Sequence, residues 1–285
     1  RVFLVGAGPG APDLLTLRAL RLLQQADIVL HDALVHPETL ALAGKAKLVQ
    51  VGKRCGSHAT EQSFINKRLV DAARRYACVV RLKGGDPMLF GRAQEELDAL
   101  AAAGITAEVV PGITAALAAI AALGVSLTRR GLSRHVCMVT PRIAQDPSAV
   151  SDNDWVSPLL LNDTAVIYMG ATQAAAIASA LIARGKPATT PLALVQDASL
   201  PTQRQLLGQL HQLPQLVQQL QVAAGPILIM LGEVLRERLV TDISQDVANT
   251  RNYIGKSELD ERVMRVIGSV GRHRFVPAGL QSSAY

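Results

Sequence analysis

Aromatic residues are scarce in this sequence: Phe, Tyr and Trp together make up 3% of its 285 residues. Grooves that track nucleic acid stack bases on such rings beside a basic stripe, so nucleic acid is not an expected partner. Cysteine is almost as rare. Cys55, Cys78 and Cys137 are odd in number and far apart, which excludes a disulfide framework and supplies no thiolate metal set. No metal is expected, and a reducing, cytoplasmic compartment is the simplest home. Long apolar runs are missing too: the weakly polar stretch 109–125 is interrupted by Pro111, Gly112, Thr114 and Gly124 and does not read as a membrane span. No signal peptide is read, although the start at Arg1 rather than Met is compatible with a removed upstream segment.

What is present is aliphatic. A hydrophobic fraction of 49%, carried by Ala, Leu and Val, points to an α/β protein, and the length suffices for two domains with cores of their own. The formal charge of +6 is spread over turns: Lys53 and Arg54, Arg81 and Lys83, Arg92, and Arg129, Arg130 and Arg134. Cations placed this way suit a small polycarboxylate or phosphate ligand, the plain alternative being a solvated basic surface.

Strands are expected at 2–5, 28–30, 48–51, 79–82 and 107–110, with helices at 62–76 and 94–103, and this alternation argues for a mostly parallel sheet covered by helices. A further helix runs to about Leu123. A second series follows, with strands near 136–139, 165–168, 192–195 and 227–231 and helices at 172–183 and 213–222. The expected organisation is an N-terminal α/β domain 1–111, a C-terminal α/β domain 112–238 and a polar tail 239–285, in which only 258–270 has helical spacing. A cleft between α/β domains is a common place for a small-molecule site.

The most specific segment is Val79-Val-Arg-Leu-Lys-Gly-Gly-Asp-Pro87, a strand opening onto bare backbone beside a carboxylate. Glycine admits a ligand where a Cβ would clash, and Pro87 stiffens the exit. Gly6-Ala-Gly-Pro-Gly-Ala11 nearly matches the dinucleotide fingerprint, with Asp27 or Asp32 near the distance of a ribose-binding acid. A nicotinamide-dependent oxidoreductase is therefore a competing reading. Against it, Pro9 removes an amide from the loop, and Ala11, Pro12 and Asp13 delay the helix start.

The order of Val5-Gly-Ala-Gly-Pro-Gly10, Asp32, Val51-Gly-Lys-Arg54, Val80–Pro87, Val110-Pro-Gly-Ile-Thr-Ala115 and Tyr168-Met-Gly170 closely resembles the uroporphyrinogen-III C-methyltransferases, over about residues 1–235. The resemblance implies the tetrapyrrole methylase fold, two α/β domains with a cofactor and substrate cleft between them, in a homodimer. S-adenosylmethionine is the implied methyl donor, with S-adenosylhomocysteine as product. By resemblance the cofactor contacts fall on Pro9, Gly84, Gly85, Asp86, Leu89, Thr114, Ala115, Met169 and Ala198. The proton acceptor maps to Asp32 and the proton donor to Lys53. Arg92 and Arg130 would clamp carboxylates of the tetrapyrrole, and Glu95 would orient Arg92 or handle a proton. The implied reaction methylates C2 and C7 of uroporphyrinogen III to precorrin-2; another precorrin as substrate is the alternative within the family.

This chain departs from the family on the substrate side. His31 replaces a tyrosine, Ala93-Gln94 a glycine pair, Ser126-Leu-Thr-Arg-Arg130 a Pro-Leu-Thr-His-Arg, and Pro141-Arg142 a Gly-His. His31 beside Asp32 reads as a packing group in place of tyrosine, or as a proton shuttle. In the tail, Leu259-Asp-Glu-Arg-Val-Met264 with Arg272-His-Arg-Phe-Val-Pro277 resembles the N-terminal helix of protein-L-isoaspartate O-methyltransferases. Without their glycine-rich motif it implies no such activity.

Overall fold

The computed structural model describes residues 1–51, 62–141, 154–220, 225–249 and 260–267; Lys53 and Arg142 lie outside the described residues. The chain divides into two compact units, Arg1–Ala118 with Ala198–Pro201, and Ala119–Asp197 with Thr202–Tyr285.

The first unit alternates β1 (Val2–Gly6), α1 (Leu17–Gln25), β2 (Ile28–His31), α2 (Pro37–Ala41), β3 (Lys47–Gln50), α3 (Gln62–Arg75), β4 (Val79–Lys83), α4 (Ala93–Ala102), β5 (Ala107–Val110) and the start of α5 (Ala115–Leu123). Its strands form one sheet in the order β3-β2-β4-β1-β5, with every pair parallel. The connections leaving β1 and β2 run one way across the sheet, and those leaving β3 and β4 run the other. Right-handed crossovers then put α1 and α2 on one face and α3 and α4 on the opposite face.

The two cores follow this division. Phe3, Val5, Val29, Val80 and Leu82 pack with Ala19 and Leu23 of α1. Val2, Leu4, Ile28, Leu30 and Val79 pack with Ile65 and Leu69 of α3 and Leu100 of α4. The two-residue period of a strand places Arg81 and Lys83 on the Val79 face, beneath α3 and α4, and both are buried.

The division between units falls inside α5 rather than at Pro111. The exit of β5 stays with the first unit because the Gly112 N–H donates to Asp86 Oδ2 at 2.9 Å and its Cα lies against Gly6.

The second unit holds β6 (Val136–Val139), α6 (Val156–Leu161), β7 (Thr164–Ile167), α7 (Ala174–Ala183), β8 (Pro191–Gln196), β9 (Arg204–Gln209), α8 (Leu213–Leu220), β10 (Ile227–Gly232), α9 (Arg236–Asn249) and α10 (Glu261–Ile267). Its sheet runs β6-β7-β10-β8-β9. Only β6 and β7 pair in parallel; β7 with β10, β10 with β8 and β8 with β9 are antiparallel. Leu159, Ile167, Ile177, Leu181, Leu194, Leu213 and Ile229 fill its core. Helix α9 runs straight through the composition change at residue 239. Leu239 and Ile243, one helical turn apart, are both buried, so the start of the polar tail belongs to the second unit. No helix among the described residues is long and apolar enough to cross a membrane.

Candidate functional site

Parallel pairing brings the carboxyl ends of all first-unit strands to one edge. In such sheets a ligand crevice opens where neighbouring strands send their connections to opposite faces. Strand β4 stands in that relation to both neighbours: its chain leads to the α3/α4 face, while those of β1 and β2 lead to the α1/α2 face. One crevice edge thus lies at β1/β4 and another at β4/β2.

At β1/β4 the edge is made of backbone. The pairing reaches past the strands and ends in an isolated antiparallel bridge: Ala7 N–H donates to Lys83 O at 2.7 Å, then Gly8 N–H to Gly85 O at 3.2 Å and Gly85 N–H to Gly8 O at 2.7 Å. A Cβ on Gly112 would stand 2.3 Å from Gly85 O and 2.8 Å from Gly6 Cα. The ends of β1, β4 and β5 therefore close together only as glycines. Asp86 locks them, accepting from Met88 N–H at 2.8 Å with Oδ1 and from Gly112 N–H at 2.9 Å with Oδ2. Its first role here is to hold the loop, and the remaining lone pairs of the carboxylate are what it can offer a ligand.

Gly84 is different. A Cβ there meets nothing within 4 Å and its φ is ordinary, so the fold itself does not demand glycine. Gly84→Ala should leave stability unchanged or raise it by about 0.4–1 kcal/mol. If a ligand lies against this backbone, the same change should weaken S-adenosylhomocysteine binding by about tenfold, roughly 1.4 kcal/mol, in titration calorimetry; equal affinity would take Gly84 out of the site.

Among the described residues, non-glycine residues with positive φ are Phe90, Arg92, Met169, Asp197 and Ser199. Such conformations cost of order 1–3 kcal/mol each and gather at functional sites. Every one of them is, or stands within two residues of, a site residue expected from the sequence: Arg92, Met169 and Ala198. The Ala198 segment is stitched to the glycine loop. Ala11 N–H donates to Ser199 Oγ at 3.0 Å, and a Cβ on Gly10 would meet Leu200 Cδ2 at 2.9 Å.

At β4/β2 the edge is charged. Asp32 follows β2 with its side chain 31% exposed, and its Oδ1 accepts from Arg81 Nη2 at 2.5 Å. Arg81 is 1% exposed. Its Nε and Nη2 donate to Glu96 Oε1 at 3.1 and 3.0 Å, and its Nη1 to Leu30 O at 3.4 Å and Leu82 O at 3.2 Å, which accounts for all its N–H donors. Lys83 Nζ donates to the same Glu96 oxygen at 2.8 Å. At Arg81 burial opposes the charge, but Asp32 and Glu96 outweigh it and raise the pKa. Burial and the neighbouring Arg81 charge push the Lys83 ammonium below its usual range, only partly offset by Glu96 and Asp32.

Glu95, the acid expected from the sequence, points outward on α4 and holds Arg92 in a two-pronged pair, Nε to Oε1 and Nη2 to Oε2, both at 2.7 Å. Orienting Arg92 is thus a contact the structure contains. His31 is buried with Nδ1 at 3.1 Å from Asp32 O.

The first unit thus brings Pro9, Gly84, Gly85, Asp86, Leu89, Thr114, Ala115, Ala198, Asp32, Arg92 and Glu95 into one body. Met169 and Arg130 belong to the second unit; both are exposed, Met169 directly after Tyr168 at the end of β7. Residues 1–214 match the tetrapyrrole (corrin/porphyrin) methylases. The chain belongs to this family.

Among tetrapyrrole methylases, the siroheme synthase of Ectopseudomonas mendocina is 48% identical over 241 residues, 84% of this chain and 51% of that protein. The chain spans about half the length of the curated relatives it matches. The uroporphyrin-III C-methyltransferase of Thermus thermophilus, solved in complex with S-adenyl homocysteine, is 39% identical with a TM-score of 0.71, over 83% of this chain and 99% of that one. A cobalt precorrin-4 methyltransferase of cobalamin biosynthesis is 28% identical with a TM-score of 0.70, covering 82% and 95%. The methylase match ends before the tail.

Reading the sequence did not single out Glu96, and it assigned Arg81 and Lys83 only to a general pool of cations. The signal was there: two cations at alternate positions of an apolar strand, and an acid on the buried α4 stripe with Ala93 and Leu100.

Proposed function

We propose that this methylase transfers methyl groups from S-adenosylmethionine to C2 and C7 of uroporphyrinogen III. The products are precorrin-2, reached through precorrin-1, and S-adenosylhomocysteine, in siroheme, cobalamin or heme d1 biosynthesis, by a homodimer in the cytoplasm. The observation that carries the reading is the pairing, on one sheet edge, of a bare-backbone cradle at β1/β4 with the Asp32 carboxylate held by Arg81 at β4/β2. The names of the similar siroheme synthase and of the Thermus protein with its bound S-adenyl homocysteine support the same assignment.

Bound S-adenosylmethionine supplies an electrophilic methyl group. The cradle residues Pro9, Gly84, Gly85, Leu89, Thr114, Ala115 and Ala198, with Met169 against the adenine, hold it, and alignment of carbon, methyl and sulfur is the main catalytic contribution asked of them. Asp32 accepts the proton that must leave the macrocycle to balance the incoming methyl group, since the methylated carbon is fully substituted and has none to lose. Lys53 returns one in the tautomerisation that follows. Arg92, already aimed by Glu95, and Arg130 bind substrate carboxylates as two-pronged clamps. The competing nicotinamide reading fits poorly: after the glycine loop come a 3-10 turn at Pro12–Leu14 and then α1, which starts at Leu17 behind the Thr16 cap, so no helix N-terminus opens directly from the loop to receive pyrophosphate.

Anaerobic incubation of the purified chain with uroporphyrinogen III and S-adenosylmethionine should add two methyl groups by mass and develop the absorbance of the dimethylated product. S-adenosylhomocysteine binding without methyl transfer to this substrate would overturn the substrate assignment. It would favour the precorrin reading, which the substrate-side departures at His31, Ala93-Gln94, Ser126 and Arg129 also support.

A further inference from the structure

Glu96 is the hub of the charged edge. It is 0% exposed, its Oε1 accepts from Arg81 Nε and Nη2, Lys83 Nζ and, at 3.3 Å, Gln62 Nε2, and its Oε2 is buried without a hydrogen-bond partner among the described residues. Taking ions out of water is costly, and well-packed apolar residues commonly serve stability as well or better. Stability therefore does not account for a buried carboxylate gathering two cations on one oxygen. Of the four charged side chains in the cluster, only Asp32 is substantially exposed.

The hub also reaches the other expected catalytic turn. Glu96 lies in the first turn of α4, whose N-cap is Arg92 in the left-handed region, φ 53° and ψ 27°. The Lys83 stem runs under the same turn: a Cβ on Gly91 would come within 3.1 Å of Lys83 Cε. We propose that Glu96 is a positioning residue, which through Arg81 fixes the Asp32 carboxylate and through Lys83 and α4 fixes the strained turn that presents Arg92. The proton acceptor and a carboxylate clamp are then set in register by one buried oxygen. This inference rests on the roles given to Asp32 and Arg92 above.

The test is a double-mutant cycle on Glu96→Gln and Asp32→Asn, read by single-turnover methyl transfer from labelled S-adenosylmethionine to uroporphyrinogen III, with S-adenosylhomocysteine affinity measured in parallel. Glu96→Gln keeps the shape and removes the charge. Its rate should fall about thirtyfold in the parent and less than about threefold in the Asp32→Asn background, a coupling within the range for groups that share a network. Cofactor affinity should stay within about twofold, an effect too small to signal a lost contact. Multiplicative rate losses would overturn the inference while leaving Asp32 as the acceptor. An Asp32→Asn variant as fast as the parent would overturn the acceptor role and the inference together, and is recognised from the single variant alone. Should Glu96→Gln not fold, Arg81→Lys keeps the charge and gives up the fork, and it must show the same coupling to Asp32→Asn; independence there overturns the proposal as well.

Discussion

Gly112→Ala should destabilise the first unit by about 3 kcal/mol and abolish S-adenosylhomocysteine binding with it. The added carbon would stand 2.3 Å from Gly85 O, 2.8 Å from Gly6 Cα and 3.0 Å from Gly6 C. All three are main-chain atoms, so no side chain can swing away. Nor can the strands easily part, because β1 is held in register to β4 from Val2 to Gly6 and to β5 from Val2 to Val5. Relief must come at the strand exits, and moving them pulls Asp86 off the Gly112 amide and opens the Gly8–Gly85 bridge. The cradle and the fold fail together at this position, whereas at Gly84 only the ligand should notice. Thermal unfolding with parallel calorimetric titration checks both. A Gly112→Ala protein with parental melting temperature would show that the three strand ends are not locked as described.

The first unit was largely legible in the sequence because its central strands are buried on both faces and read as near-continuous apolar runs at 2–5, 28–30 and 79–82. These and the more exposed edge strands expected at 48–51 and 107–110 form one parallel sheet. The second unit was less so. Arg204-Gln-Leu-Leu-Gly-Gln209 has neither a run nor an alternation, and it becomes β9 only by pairing with β8 across a turn. What makes it a strand is a partner rather than its own pattern. The link from Ala11 to Ser199 spans 188 residues, and nothing local announces it. The backbone edge at β1/β4 was legible wherever a glycine stood at a strand end. Its charged side turned on helix phase: Glu95 and Glu96 are adjacent acids, and only the α4 stripe of Ala93, Glu96 and Leu100 decides which one faces Arg81 and Lys83 and which one faces Arg92.

Arg81→Met should cost about 3–5 kcal/mol of stability, because breaking one partner of a buried ion pair leaves the others uncompensated. Asp32 and Glu96 lose their shared guanidinium, and Leu30 O and Leu82 O lose a donor. Among the described residues Lys83 is then the one cation left on Glu96, with Gln62 as a neutral donor, and its ammonium is already disfavoured by burial. For the whole chain the melting temperature should drop by roughly 10 °C. Adding Glu96→Leu and Lys83→Met takes out the remaining buried pair as a unit and fills the space with apolar side chains, so the combined variant should recover part of that loss. Methyl transfer should not recover with it, since Asp32 still lacks the group that holds it. A combined variant that is both more stable than Arg81→Met and equally inactive would separate the two properties of the cluster: it costs stability, and it fixes where one carboxylate stands. A combined variant that regained turnover would instead show that Asp32 needs no buried partner.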